Sequence, residues 1–537
     1  MKNTAFQNQD TEYFENPYNS IVLHLIPRIL TNLDRDRDSP TYGCFDRNYW
    51  HYKVHDYSSG LLQQCSLTLA LAYLNPFEGN SYFNNGAIRE YAIAGVRYCT
   101  KIQNRDGSFD EYWKGESSIP STAFTLYSIC ETCDLLKIEP DERCIAKAVH
   151  FLATHREDEA LNQEMASIAA IRYAAKLLRN SEYMDISDKK FEEFLSRKKT
   201  EGWFSEYGGV DVSYLTVNLD YMVRYYQLSD DPRALEASQQ VLDFLRYFIH
   251  PDGSIGGEYG TRNTEYFAPY GIEYLKQFCP VSNTIIEKLL GFIHQRGYLN
   301  LSCDERYYLH YLSHSFTKSL LRYSKSRSDE KLPCECIFER FFDESKIFIK
   351  STENYYFIAN LSKGGTFKVM NKNTSEMSTD CGFRLKLSKD LFVTELPQDN
   401  RFTIGNDTIT VSGQFLKMNF IQQSTSKLLL LRVLSAIGGF TAVRLAKKIM
   451  IFGSGVPRDM VFNRTISFTS DRIQLSDTLN IGNRSGIIRN SNGLSVRHTA
   501  SSRFFQIDSL GNSIASEEHE IHHSGTIERS VSFGARN

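Results

Sequence analysis

The densest group of chemically active side chains lies in residues 256–266, which read GGEYGTRNTEY. Paired glycines allow the backbone to approach a ligand closely. Arg262 and Asn263 can donate hydrogen bonds to an anion, and Tyr259 and Tyr266 can exchange protons. We therefore interpret this segment as the strongest candidate for a functional site.

Other parts of the chain carry polar and aromatic residues of the same kind. Aromatic rings offer flat apolar surfaces with a polar edge, and the chain is rich in them, with 31 Tyr and 35 Phe. Tyr214 and His51 are further candidates for proton transfer. The candidates for substrate binding are Trp50, Trp113, Asn162, Gln163, Glu164, Trp203, Glu206, Asp211, Glu258 and His314, together with Asn263.

Structural roles are the alternative for several of these residues. Asn162 and Asp211 each precede a helical pattern and can cap a helix. Arg262 can tie its glycine-rich loop to a neighbouring segment. His310 and His314 lie one helical turn apart, but no third ligand is near in sequence, so we predict neither a metal site nor a cofactor.

A loop that recurs along the chain indicates how these residues are positioned. Residues 103–109, 201–204 and 250–255 resemble one another, and each lies between two amphipathic helical patterns. Their spacing fits a helical hairpin of about 50 residues with one degenerate copy, which is typical of a repeat architecture. Residues 20–325 are interpreted as twelve helices in six pairs, namely 20–32 with 59–74, 86–102 with 120–136, 141–155 with 162–179, 187–198 with 213–228, 232–249 with 264–278, and 283–295 with 305–323.

Six such hairpins predict an (α/α)6 toroid over residues 1–330, whose second helices form the inner ring. The loops that join first to second helices then share one rim, and they hold nearly all the candidates. From about residue 331 to 537, apolar residues alternate with period two, as in residues 346–349, 355–358, 383–387 and 408–411. This pattern predicts an antiparallel β-sandwich, interrupted by a helix at residues 428–445.

Charge and hydropathy limit the classes of partner. Residues 1–330 hold 35 basic and 45 acidic residues, a net charge of −10, and residues 331–537 hold 26 and 19, a net charge of +7. Neither pattern indicates nucleic-acid binding.

The apolar run 428–451 contains Arg432 and Lys447 and predicts a poor membrane span. We expect it to be buried in the second domain, with peripheral contact at a membrane interface as the alternative. The N-terminus shows no secretory signal, which predicts a cytoplasmic protein.

Four segments resemble the heparinase II/III-like and alginate-lyase-like polysaccharide lyases, in particular a signal-less branch associated with surface-polysaccharide biosynthesis. They are DRNYWHYK (46–53), EGWFSEYGG (201–209), GEYGTRNT (257–264) and SSRFFQ (501–506). The resemblance covers most of the chain and implies a toroid followed by a β-sandwich. Secreted lyases of this class commonly carry an Asn-His pair at the rim, whereas Asn162 is followed here by Gln163.

The resemblance implies β-elimination on a uronate-containing polysaccharide or a lipid-linked oligosaccharide. Asn162, Gln163 or Arg262 would neutralise the C5 carboxylate, and Tyr214, Tyr259 or Tyr266 would move protons. Three alternatives stay open: a toroid glycoside hydrolase with paired carboxylates, a uronate C5-epimerase, and a non-catalytic glycan-binding protein of a polysaccharide assembly system.

Overall fold

A computed structural model describes residues 15–296, 308–325, 328–418, 424–452, 459–491 and 518–533. The segment 501–506, which contributes to the resemblance above, lies outside these residues. The helices that precede the first strand are α1 Asn19–Asn32, α2 Arg47–Trp50, α3 Cys65–Leu74, α4 Gly86–Ile102, α5 Ile119–Leu136, α6 Glu142–Thr154, α7 Leu161–Leu178, α8 Ser181–Leu195, α9 Val212–Ser229, α10 Pro232–Leu245, α11 Pro269–Leu275, α12 Val281–Arg296 and α13 Ser313–Arg322.

The second helices of the six pairs form a closed inner ring. Helix α3 packs on α5, α5 on α7, α7 on α9, α9 on α11 and α11 on α13, and α13 returns to contact α3. Outer helices α4, α8, α10 and α12 each pack against the inner helix that precedes them in the chain, namely α3, α7, α9 and α11. The predicted (α/α)6 toroid is therefore confirmed, and a helix overlaps each of the twelve predicted ranges.

Inner and outer helices differ in burial, as the ring requires. Helix α5 is buried on nearly every face, whereas α6 buries a single stripe that includes Ile145, Val149 and Leu152. A one-sided apolar stripe marks a helix at the surface, and apolar residues all round mark an enclosed helix.

The recurring loop is defined by a glycine that packs against the following outer helix. At the central glycine φ is +93° in Gly107, +92° in Gly202 and +85° in Gly253. A Cβ atom at Gly107 would lie 2.1 Å from the carbonyl oxygen of Lys147, so a larger residue is excluded by space as well as by conformation. Gly43 has the same φ range and the same close approach, and is a fourth copy that the sequence analysis missed.

A buried polar cluster lies among the inner helices. The Arg224 guanidinium is fully buried and its Nε lies 2.5 Å from Asp220 Oδ1. It also contacts the ring of Tyr221 and donates to His314 Nδ1 at 3.1 Å. Nε2 of His314 lies 3.2 Å from Gln64 Oε1, so His314 belongs to this cluster.

The strands are β1 Phe338–Phe342, β2 Ile347–Ser351, β3 Tyr355–Asn360, β4 Thr366–Asn371, β5 Met377–Asp380, β6 Phe383–Leu387, β7 Asp390–Val393, β8 Arg401–Ile404, β9 Thr408–Gln414, β10 Leu416–Met418, β11 Val461–Phe468, β12 Arg472–Asn490 and β13 Glu518–Ser532. All pairings are antiparallel. One sheet has the order β1-β2-β3-β4-β5, and the other has the order β10-β7-β6-β12-β11-β9-β8, with β13 paired to β12.

Strands β2, β3 and β4 of the five-stranded sheet are buried on both faces. Ile347 and Ile349 belong to the core of the toroid, whereas Phe348 between them belongs to the core between the two sheets. Side chains alternate across a strand, so a continuous apolar run is what a doubly covered strand requires. This sheet joins the toroid to the sandwich.

Two polar side chains of the sandwich donate hydrogen bonds to the loop 256–265. Lys363 Nζ is buried and donates to Glu258 O at 2.5 Å, to Gly260 O at 2.7 Å and to Asn263 Oδ1 at 2.7 Å. Asn360 Nδ2 donates to Tyr259 O at 2.7 Å. Burial lowers the pKa of Lys363, and nearby acidic groups oppose that change.

A second lysine holds the two ends of the same loop. Lys368 Nζ lies 2.6 Å from Glu265 Oε1, 3.6 Å from Glu258 Oε2 and 3.2 Å from Gly256 O. Lys363 thus binds the middle of the loop and Lys368 binds its two ends, and both lysines come from the sandwich.

The predicted helical interruption of the sandwich is present as α14, Thr425–Phe452, which bends at Gly439 where φ is +54°. The expectation that it is buried within the second domain is wrong. Leu429, Leu430, Val433 and Ile437 are exposed, because the helix lies across the rim of the toroid instead of inside the sandwich. Among the described helices none is both long and apolar enough to cross a membrane.

The Asp220→Asn variant tests the buried cluster. It leaves the Arg224 charge buried without its counterion, and we expect the free energy of unfolding to fall by about 3 kcal/mol or more. Chemical denaturation measures this change. Asp231→Asn is the matched control, since Asp231 pairs with Arg233 at the surface; equal losses in both variants would contradict the role assigned to the cluster.

The Lys363→Met variant tests the support of the loop. Without the ammonium group, three oxygen acceptors lose their donor, and we expect faster tryptic cleavage after Arg262 in the folded protein. Mass spectrometry of the fragments measures the rate at that bond. The exposed Lys386→Met variant is the control, and an unchanged rate after Arg262 in Lys363→Met would contradict this support.

Candidate functional site

The rim loops contact one another around the ring. Tyr207 N donates to Glu159 O, Leu161 N donates to Ser205 O at 3.3 Å, and Thr261 N donates to Val210 O at 3.0 Å. The loops before α7, α9 and α11 therefore lie side by side, so residues far apart in sequence meet at one place.

Three tyrosines and an arginine form a row on this part of the rim. The Arg262 guanidinium carbon lies 4.3 Å from the centre of the Tyr207 ring. The Tyr207 and Tyr214 ring centres are 6.2 Å apart, and those of Tyr214 and Tyr266 are 6.1 Å apart. Arg262 and Tyr207 are half-buried, and Tyr214 keeps 8% of its surface exposed. We call these four residues the rim cluster.

Asp211 sets the position of the rim cluster. As the N-cap of α9, its carboxylate accepts from Tyr214 N at 3.5 Å, which confirms the predicted cap. It also accepts from Arg262 N at 2.9 Å and from the Thr264 hydroxyl. Burial raises the pKa of Asp211, and these donors oppose that rise. One carboxylate thus joins the first turn of α9 to the loop that carries Arg262.

Glu206 has a similar role at the start of α7. Its carboxylate accepts from Asn162 N at 2.8 Å and from Asn162 Nδ2 at 2.7 Å. Asn162 is not the N-cap, which is Ala160, because Glu206 from the next loop satisfies the first turn instead. Burial raises the pKa of Glu206 well above its usual range. The amide of Asn162 is therefore engaged with Glu206.

Tyr259 lies beneath its loop. Its side chain is fully buried, and its hydroxyl lies 3.0 Å from His250 Nε2. Burial lowers the pKa of His250 well below its usual range, and the charge of Lys368 acts in the same direction. A neutral imidazole thus shares a hydrogen bond with the tyrosine. Tyr259 supports the loop from inside, whereas Tyr266 belongs to the rim cluster.

The remaining predicted residues are distributed around the molecule. Trp203 is buried and its Nε1 donates to Glu201 at 2.9 Å, while Glu164 is buried and pairs with Lys190 at 2.8 Å. Glu258 is buried beside Lys368, His314 lies in the cluster around Arg224, and Gln163 is half-buried next to Asn162.

The predicted aromatic residues before α3 and α5 lie on other rim loops. Trp50 is half-buried and its Nε1 donates to Asn32 O at 2.8 Å, whereas His51 is exposed. Trp113 is half-buried and its Nε1 donates to Ser435 Oγ of α14 at 3.1 Å. The His51 ring contacts those of Trp50 and Tyr52.

The sequence analysis missed Tyr207, Lys363 and Lys368. Tyr207 stands in the motif EGWFSEYGG, and its neighbouring glycines were a usable signal for a loop that presents a side chain. Lys363 and Lys368 had no such signal, since a lysine next to Gly364-Gly365 is typical of an exposed turn.

Within the described residues, no group of three or more His, Cys, Asp or Glu side chains is arranged to hold a metal ion. The rim cluster itself consists of one arginine and three tyrosine side chains, and the amide of Asn263 follows Arg262 in the chain. These groups can bind an anion and transfer protons.

A family model matches the part of the chain that carries this site. Residues 70–271 match the model of the ulvan lyase N-terminal domain, and this span includes Asn162 and all four residues of the rim cluster. No curated protein sequence matches the chain.

Two solved structures share the arrangement of both domains. A Paenibacillus xanthan lyase is 11% identical, with a TM-score of 0.54, over 97% of this chain and 57% of its own. The chondroitin AC lyase of Streptomyces coelicolor A3, solved in complex with chondroitin sulphate, is 11% identical, with a TM-score of 0.51, over 88% of this chain and 71% of its own. The chain thus spans little more than half the length of the xanthan lyase. The chain shares the toroid-and-sandwich fold of these two lyases, and the match to the ulvan lyase N-terminal domain supports the broader resemblance to polysaccharide lyases.

Proposed function

We propose that the protein is a polysaccharide lyase that cleaves a uronate-containing glycan by β-elimination. The observation that carries this proposal is the rim cluster, in which a half-buried arginine lies against the first of three neighbouring tyrosines. The reaction needs a cationic or amide group for the C5 carboxylate and a base and an acid for protons. The rim cluster and Asn263 supply these groups.

Arg262 and Asn263 are suited to the carboxylate. Lys363 occupies Asn263 Oδ1, so the amide nitrogen is the end that remains to donate to a ligand. Donors aimed at a carboxylate withdraw charge from C5 and stabilise the enolate-like state that forms when the C5 proton leaves. Asn162 is less suited, because its amide already donates to Glu206.

Tyr214 is the residue we assign as the base. It lies in the first turn of α9, where the helix dipole favours a negative charge, and it is the central tyrosine of the row. As a phenolate it would take the C5 proton while the C4–O4 bond breaks and a C4–C5 double bond forms. The departing O4 takes a proton from Tyr214 itself or from Tyr207 or Tyr266.

The described geometry favours the lyase over a hydrolase. A hydrolase requires two carboxyl groups that face the substrate. Glu206, Asp211 and Glu258 are all buried at the rim, and the first two are saturated by backbone and side-chain donors. The hydrolase and the C5-epimerase remain as distinguishable outcomes of the assay.

Incubation with ulvan, xanthan, chondroitin sulphate, alginate and a neutral dextran tests the reaction. We expect at least one uronate polymer, and not dextran, to yield fragments that absorb in the ultraviolet and carry an unsaturated terminal uronate by mass spectrometry. Reducing ends without that absorbance would identify a hydrolase. Exchange of C5 hydrogen for solvent deuterium without cleavage would identify an epimerase, and either result would contradict the proposal.

The Tyr214→Phe and Arg262→Gln variants test the assigned roles on the polymer that is cleaved. Loss of a base lowers kcat by about 100-fold or more. Loss of the arginine lowers kcat/KM by about 100-fold, since the donor acts on the charge that develops in the transition state. Tyr183→Phe, on the outer helix α8, is the control. Full activity in Tyr214→Phe would exclude it as the base.

A further inference from the structure

Helix α14 presents an apolar surface to the outside of the molecule. The side chain of Ile437 is 84% exposed, and those of Leu429 and Leu445 are each 60% exposed. Leu430 and Val433 lie among them and are also more than half exposed. A contiguous apolar surface of this kind on one element marks a place of contact with another molecule or a membrane.

The opposite side of α14 is attached to the rim of the toroid. Arg432 pairs with Asp56, with Nη2 2.8 Å from Oδ1, and Ser435 Oγ accepts from Trp113 Nε1. Past the bend, the Phe440 ring lies 4.3 Å from that of His155. These contacts involve three separate rim loops, so the helix is held in one orientation with its apolar side outward.

The charge of α14 is of one sign. Residues 425–452 contain five basic residues and no acidic residue. Arg432 is paired with Asp56, so the positive charge of this helix comes from Lys427, Arg444, Lys447 and Lys448, on a protein whose formal net charge is −3. Apolar side chains combined with Lys and Arg are typical of helices that lie in the interface of a membrane with anionic lipids.

We propose that α14 lies in the headgroup region of an anionic membrane and holds the toroid rim next to the bilayer. The bend at Gly439 fits this position better than a crossing, because the two halves of the helix follow different directions. A second copy of the chain fits the surface less well. Two copies of this helix that meet face to face would bring basic residues together, and neither helix contains an acidic residue that could pair with them.

This inference does not depend on the lyase reaction. It gives the rim a fixed relation to the membrane surface, so that a glycan attached to the bilayer would meet the rim loops that α14 contacts at Asp56, Trp113 and His155 without diffusing from solution. The partner is the lipid surface itself, recognised through burial of leucine and isoleucine side chains and through attraction of basic side chains to anionic headgroups.

Flotation of the full-length protein with vesicles tests the proposal. We expect binding to phosphatidylcholine vesicles that contain phosphatidylglycerol, weaker binding to pure phosphatidylcholine, and a reduction at high salt. The affinity of the double variant Leu430→Glu/Ile437→Glu for the anionic vesicles should fall by about tenfold or more. The variant removes two apolar side chains that would be buried in the membrane, and it adds negative charge.

The Ile337→Glu variant is the matched control, since Ile337 is an apolar residue that is 69% exposed outside α14. It should bind as the original protein does, and all variants should keep the original thermal midpoint. Absence of binding to anionic vesicles would overturn the proposal. Light scattering measures whether the protein is a dimer. If it is a dimer, does not bind vesicles, and becomes a monomer in the double variant, the apolar surface is an interface with a second copy of the chain.

Discussion

A buried ammonium group joins the two domains at the place where the candidate chemistry lies. Lys363 lies in the turn between strands β3 and β4 of the five-stranded sheet, and its three acceptors all belong to the loop that carries Arg262 and Asn263. A buried charge is stable only when its hydrogen bonds are complete. The loop therefore has to keep the conformation that satisfies Lys363, and the same conformation presents Arg262 to Tyr207.

The acidic residues Glu206 and Asp211 stabilise the same arrangement of rim loops. Glu206 and Asp211 each accept from a helix start and from a neighbouring segment, so they link α7, α9 and the loop before α11. Buried carboxylates that are engaged in this way act as structural acceptors. The arginine and the tyrosines of the rim cluster are therefore the groups to which we assign the proposed proton abstraction next to a carboxylate.

Much of the fold was predictable because each element carries its own signal. The six helix pairs follow from apolar spacing, and the glycine turns follow from a conformation that only glycine adopts easily. The helix within the sandwich was also predictable. The exposure of this helix was not predictable, because an apolar run has the same sequence pattern in a core and on a surface. Nothing in the sequence shows that Leu429 and Ile437 are exposed.

The sequence by itself determined the toroid, the sandwich, the shared rim and the family resemblance, because these depend on periodic patterns that are local in the chain. Only the tertiary structure decided which rim residues meet. Tyr207, Tyr214 and Arg262 come from two loops and a helix, and Tyr259, which looks equivalent to Tyr266 in sequence, is turned inward to His250. Contacts over such separations depend on how the helices close into a ring and on the support from Lys363, and neither is encoded in any single segment.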